Sequence, residues 1–131
     1  MKDITQLVYD EIFSLLLKCT PSVYDYLPPE VGYPFIYLGE QFDQPTETKS
    51  NDISIGATQL TIHVYGTHRK RRELTDLIRE IKLRLRTTRS NNYSINSINS
   101  TITQESPSQA EVLLHGIMTV DFSYYQNERG N

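Results

Sequence analysis

Thr58-Gln59-Leu60-Thr61-Ile62-His63-Val64-Tyr65 is the stretch that decides the fold. Successive side chains of an extended strand leave on opposite faces, so Leu60, Ile62 and Val64 share one side. Thr61, His63 and Tyr65 share the other. This alternation predicts a strand with one face in a core and the other outside it. Gly66-Thr67 breaks the pattern, and the period then changes. From about His68 to Arg86, Leu74, Leu77, Ile78, Ile81 and Leu85 form one narrow stripe, with Arg72, Asp76, Glu80 and Arg84 in an i,i+4 row opposite. The segment is predicted to be an amphipathic helix lying on the apolar side of the strand.

Working outward, a first helix is expected from about Ile4 to Cys19. Asp3 serves as N-cap, Gln6 completes a capping-box-like pair, and Pro21 follows the end. Val23-Tyr24-Asp25-Tyr26 is a short strand stopped by Pro28-Pro29. Pro34 to Phe42, with Phe35-Ile36-Tyr37-Leu38, is a second strand. Residues 43–56, from Asp43 to Gly56, are polar and turn-rich and are expected to be a long flexible loop. Thr87 to Asn92 is a turn. Tyr93 to Ser106 is polar, with Ile95, Ile98 and Ile102 its only aliphatics, and is expected to be an edge strand with a bulge. Ser106-Pro107-Ser108 is expected to turn. Glu111 to Tyr125 is the strongest strand, with Val112, Leu114, Met118, Val120, Phe122 and Tyr124 on one face and Gly116 in the same register. Residues 126–131 are expected to be a frayed tail. The order predicts one α+β domain over residues 1–131: an antiparallel or mixed sheet packed against two α-helices.

The totals agree with a single domain. The chain has 131 residues, enough to bury roughly two thirds of its unfolded surface. Cys19 is its only cysteine, which rules out an internal disulfide and a tetrathiolate metal site and fits a reducing compartment. Met1-Lys2-Asp3 leads straight into a helix with no signal-peptide pattern. No apolar run approaches the roughly 18–20 residues of a membrane span, so no membrane partner is expected. Tyr is abundant, at nine residues with no Trp, a residue suited to interfaces because it joins apolar area to a polar tip.

Nothing in the sequence suggests catalysis. His63, His68 and His115 are scattered, and no Gly-x-Ser-x-Gly elbow or Gly-rich phosphate loop is present. Cys19 falls on the apolar side of a helix, where an inert thiol is expected. No catalytic, cofactor-binding or metal residue is therefore assigned, and no cofactor is expected.

Charge is where the sequence speaks about partners. The net charge is −3, but His68 to Arg89 holds nine Lys and Arg against three acidic residues, leaving −9 for the rest. Arg69-Lys70-Arg71-Arg72 sits at a helix N-terminus, where cations face the positive end of the macrodipole. Three readings fit: a solvated helix end, a site for nucleic-acid phosphates, or a site for an acidic protein surface. The acidic surface could come from other copies, through Glu40, Asp43, Glu47 and Asp52 around the first hairpin, with Asp25 and Glu30 nearby. The first helix adds a further candidate surface. Its apolar arc, widened by Tyr9, Phe13 and Leu17, exceeds one sheet contact and is expected to meet either the second helix or a neighbouring subunit. In the polar loop only Ile53 and Ile55 offer apolar grip for a partner.

The layout resembles the tail-completion, or tail-terminator, proteins of long-tailed phages, which join tail to head. An apolar N-terminal helix leads to Val23-Tyr24-Asp25-Tyr26-Leu27-Pro28. Tyr33-Pro34-Phe35-Ile36-Tyr37-Leu38-Gly39-Glu40 is similar to the family's Pro-Tyr-hydrophobic-Gly-Glu strand, with Phe35 where Tyr is common. Leu60-Thr61-Ile62-His63-Val64-Tyr65, a charged helix and His115-Gly116 complete it, so nearly the whole chain is covered. The resemblance implies a non-enzymatic virion assembly protein that forms a ring, typically a hexamer. Such a ring caps the tail tube and forms part of the head–tail junction. The implied partners are the chain itself, the tail tube protein and the head-completion or connector protein, with DNA passing through non-specifically. Assembly would take place in the host cytoplasm. The alternative function is nucleic-acid binding through the basic helix 69–86.

Overall fold

The computed structural model describes residues 3–49, 52–108 and 111–127. Its elements are α1 (Ile4–Leu17), β1 (Val23–Tyr24), β2 (Phe35–Thr46), β3 (Ile53–Thr67), a 3-10 turn (His68–Lys70), α2 (Arg71–Thr87), β4 (Tyr93–Ser108) and β5 (Glu111–Asn127). The strands make one sheet in the order β1-β2-β3-β5-β4. β1 runs parallel to β2 and every other pairing is antiparallel, so the sheet is mixed and the fold is α+β. Two long hairpins, β2–β3 and β4–β5, are joined through α2.

Both helices cover one face. Leu60, Ile62 and Val64 of β3 are fully buried, as are Met118, Val120 and Phe122 of β5, with Leu114 nearly so. They meet Ile4, Val8, Ile12 and Leu16 of α1 and Leu74, Leu77, Ile78, Ile81 and Leu85 of α2 in one cluster. Val112, expected in that set, is only half-buried near the start of its strand. A Cβ on Gly116 would lie 2.8 Å from Ile78 Cδ1, so the missing side chain is what lets α2 approach β5 closely.

Several boundaries differ from the expected ones. Residues 43–46 are not loop but the end of β2, and residues 53–56 are the start of β3. Asp43 pairs with Thr58, Gln44 with Ala57, Pro45 with Gly56 and Thr46 with Ile55. Backbone ladders need no apolar side chains, and Tyr124 fastens this one by donating from its hydroxyl to Asp43 Oδ1 at 2.9 Å. The connection is reduced to residues 47–52, of which 50 and 51 lie outside the described residues.

The expected tail also begins later. Gln126 pairs with Ser54 and Asn127 with Ile53, so β5 continues, while residues 128–131 lie outside the described residues. Ser106-Pro107-Ser108 belongs to β4, where a register shift between Glu105 and Ser108 accommodates the proline. The expected bulge lies at Ile95/Ser97.

α1 ends at Leu17, two residues before Cys19. Asp3 Oδ1 accepts from the amides of Thr5 (2.8 Å) and Gln6 (3.3 Å), as an N-cap does. The reciprocal half of the capping box is missing, because the Gln6 amide donates forward to Asp10 at 2.8 Å. α2 starts at Arg71, three residues later than expected, after the 3-10 turn.

Candidate subunit interface and the histidine chain

The sheet sets the basic run and the acidic candidates Glu47 and Asp52 at different ends of the molecule. Arg69 and Lys70 lie in the 3-10 turn, Arg71 and Arg72 open α2, and all four are exposed. They follow the end of β3 that pairs with Phe35. Glu47 and Asp52 adjoin the opposite end of the same hairpin. β3 has 15 residues, so at about 3.3 Å each the two groups stand about 45–50 Å apart. The six acidic residues are not all in one patch: Glu40 and Asp43 lie on β2, and the others lie outside it. Glu30 lies with Tyr33, Phe35 and Tyr65 at the first end, and Asp43 lies toward the second, bound to Tyr124. Ile53 is half-buried opposite Asn127.

Tyr9, Phe13 and Leu17 also part company. The Tyr9 hydroxyl donates to the Leu38 carbonyl of β2 at 2.8 Å, and its ring stacks on Phe13 at 6.3 Å. Both rings pack partly against the chain's own core, while Leu17 remains 46% exposed. Within the chain, the second surface for Tyr9 is therefore β2. Cys19 is half-buried, and burial raises its thiol to about 11, so thiolate is scarce at neutral pH.

The face of the sheet without helices carries an arrangement that the sequence reading missed. Glu40, His63, His115 and Glu105 come from β2, β3, β5 and β4 and form one chain of contacts. Glu40 Oε1 meets His63 Nε2 at 2.8 Å, His63 Nδ1 meets His115 Nε2 at 2.7 Å, and His115 Nδ1 meets Glu105 Oε2 at 2.6 Å. The imidazoles are only 8% and 7% exposed although no helix covers them. Flat rings provide the shelter. Tyr37 stacks on His63 at 5.1 Å, Tyr65 on His115 at 4.2 Å and Phe35 on Tyr65 at 5.0 Å.

Each ring nitrogen either donates or accepts. Which nitrogen donates in each contact follows the tautomers of the two rings. Burial pushes the Glu40 carboxyl up, but the bond from His63, a backbone hydrogen bond and the nearby imidazoles together outweigh it and hold the group below the ordinary carboxylate range. The signal for this chain was present in part: His63 and His115 occupy the positions that alternate with core residues on adjacent strands. The strand pairing that makes them neighbours was not readable. The arrangement is a cross-strand fastening. Among the described residues no group of three His, Cys, Asp or Glu could hold a metal ion, and no helix is long and apolar enough to cross a membrane.

No family model matches the chain, and no curated protein matches it. Among solved structures it is similar to a chain of "Virion of native gene transfer agent (GTA) particle". The likeness is one of fold. It covers 92% of this chain and 90% of that one with a TM-score of 0.53, at 13% identity. The shared architecture therefore spans both chains nearly end to end.

Proposed function

We propose that this chain is a virion structural subunit of the tail-terminator type. It caps the tail tube and forms part of the head–tail junction as a self-assembled ring, the hexamer that the resemblance implies. The observation that carries the reading is the fold shared over almost the full length of both chains with a component of a gene transfer agent virion. The sequence motifs of the first hairpin point the same way. In this reading the chain has no catalytic task, its partners are its own copies, the tube protein and the connector, and it resides at the head–tail junction after assembly in the host cytoplasm.

Sedimentation of the purified chain, alone and with tube protein, tests the proposal. A ring, or a complex that stops tube growth, is the expected result. A chain that stays monomeric and leaves tube length unchanged would sink it. Nucleic-acid binding has one observation in its favour, the exposure of Arg69, Lys70, Arg71 and Arg72. It predicts DNA affinity that falls steeply with salt, and reversal of these four charges that abolishes DNA binding without touching ring formation.

A further inference from the structure

β4 forms one border of the sheet and pairs only with β5 among the described residues. Sheet borders are ordinarily protected by charges, prolines or bulges, because their unpaired amides and carbonyls will accept another strand. β4 has such devices only near its ends: the shift at Ile95/Ser97, then Glu105 and Pro107. Between them Ser97-Ile98-Asn99-Ser100-Thr101-Ile102-Thr103-Gln104 has no charge, Pro or Gly and keeps unbroken register with β5. Arg79, Lys82 and Arg86 of α2 line a groove of ≈ 310 Å³ with Ser100 and Ile102, and Leu83 beside them is 47% exposed. This border is bare along its middle and basic above.

The opposite border is acidic. β1 covers only Ile36 and Tyr37 of β2, which leaves the outer side of β2 from Gly39 to Thr46 without a strand partner among the described residues. Glu40, bound to His63 on one face, Asp43, bound to Tyr124 on the other, and Glu47 follow one another along this strand, and Phe35 to Thr48 contains no Lys or Arg. β2 and β4 run antiparallel within the sheet. A second copy placed by rotation about an axis along the strands therefore brings its β2 antiparallel to β4, with the helices of both copies on the same side.

We infer that the bare middle of β4 receives the outer edge of β2 from a second copy of this chain, with Arg79, Lys82 and Arg86 facing that copy's acidic strand. The contact joins two different patches, so it repeats from copy to copy instead of stopping at a dimer, as a ring requires. Backbone pairing supplies the register and the unlike charges select the partner. The inference rests on the ring reading above and gives that ring its joint, at the far half of α2 and not at Arg69–Arg72.

Two charge variants and two edge variants test it. Arg79→Glu/Lys82→Glu reverses the basic border. Gln44→Lys/Glu47→Lys cancels the acidic one by setting two cations at side chains away from the Tyr124 bond. Each alone is expected to raise the concentration needed for assembly about tenfold or more, and their equimolar mixture to restore assembly as an alternating ring. Asn99→Pro and Ser100→Pro are made separately, since neighbouring amides of a strand point to opposite sides. The one whose amide points outward keeps the wild-type melting temperature and loses assembly. If the wild-type chain assembles while both charge variants and the folded proline variant assemble equally well, the β4 joint is overturned and the ring reading stands. If the wild-type chain never assembles, alone or with tube protein, both fall.

Discussion

The two faces of this sheet are held by different physics. On the helix-covered face Leu60, Ile62, Val64, Met118, Val120 and Phe122 exclude water by bulk, and their strength is the apolar area they bury. On the other face Glu40, His63, His115 and Glu105 form a polar chain whose two imidazoles are sheltered by the flat rings of Tyr37, Tyr65 and Phe35, while its carboxylates at both ends reach solvent. An apolar face tolerates swaps of similar volume. A polar chain depends on every member having its partner, because a buried group left unpaired costs more than the bond it loses. The difference predicts that the same size of injury will have different effects on the two faces.

The largest effect is expected from Phe122→Ala, which empties a site at the centre of the covered face. Chemical denaturation should show a loss of about 3–5 kcal/mol. Tyr37→Ala on the open face should cost much less, since Tyr37 is only half-buried; equal losses would erase the contrast between the faces. Next comes the histidine pair. His115→Phe leaves Nδ1 of His63 without its partner and should cost about 1–3 kcal/mol. The double variant His63→Phe/His115→Phe should cost less than the sum of the two singles, with a coupling of about 0.5–3 kcal/mol. Strict additivity in the double-mutant cycle would mean that the 2.7 Å contact carries no energy.

The faces should also fail at opposite ends of the pH scale. On the covered side burial raises the Tyr124 hydroxyl to about 12, with its bond to Asp43 adding to the effect, and burial and Glu11 raise Tyr93 further. These phenols are neutral in the fold and ionise more readily in the unfolded chain. Their stabilisation is complete below the unfolded value near 10 and is lost as pH rises through the folded value. Thermal melts between pH 9 and about 12 should fall, and Tyr124→Phe should flatten part of the decline. On the open side the Glu40 carboxyl is held low, so its contribution is present above the ordinary Glu value and disappears as pH falls through the lower folded one. Because Glu40 is well exposed, this is the smallest of the effects. The melting temperature of Glu40→Gln should converge on that of the wild type in acid, and a constant gap across pH would show that His63 does not hold the carboxylate low.

The differences between expectation and structure follow the same division. Alternation in Thr58 to Tyr65 and the stripe from Leu74 to Leu85 were readable because burial against a core imposes a period on side-chain type. The polar ends of the hairpin, Asp43 to Thr46 and Ile53 to Gly56, carry no such period. They are strands because their backbones pair and Tyr124 reaches Asp43, which the residues themselves do not announce. For the candidate interface the charges were legible and the distances were not. The basic run and the acidic residues were legible as charges, but a strand of 15 residues sets their two groups far apart.

Hydrophobic periodicity in the sequence was enough for the one-domain α+β architecture and for the faces of β3 and β5 that meet the helices, because it is a local record of burial. The sequence also determined the charge asymmetry and the lack of any recognised catalytic motif. Only the tertiary structure decided which strands are neighbours. Strand order places His63 beside His115, leaves the uncharged middle of β4 at a border, and sets Arg79, Lys82 and Arg86 above it. Pairing between segments distant in the chain depends on register and topology, and no periodicity within either segment encodes it.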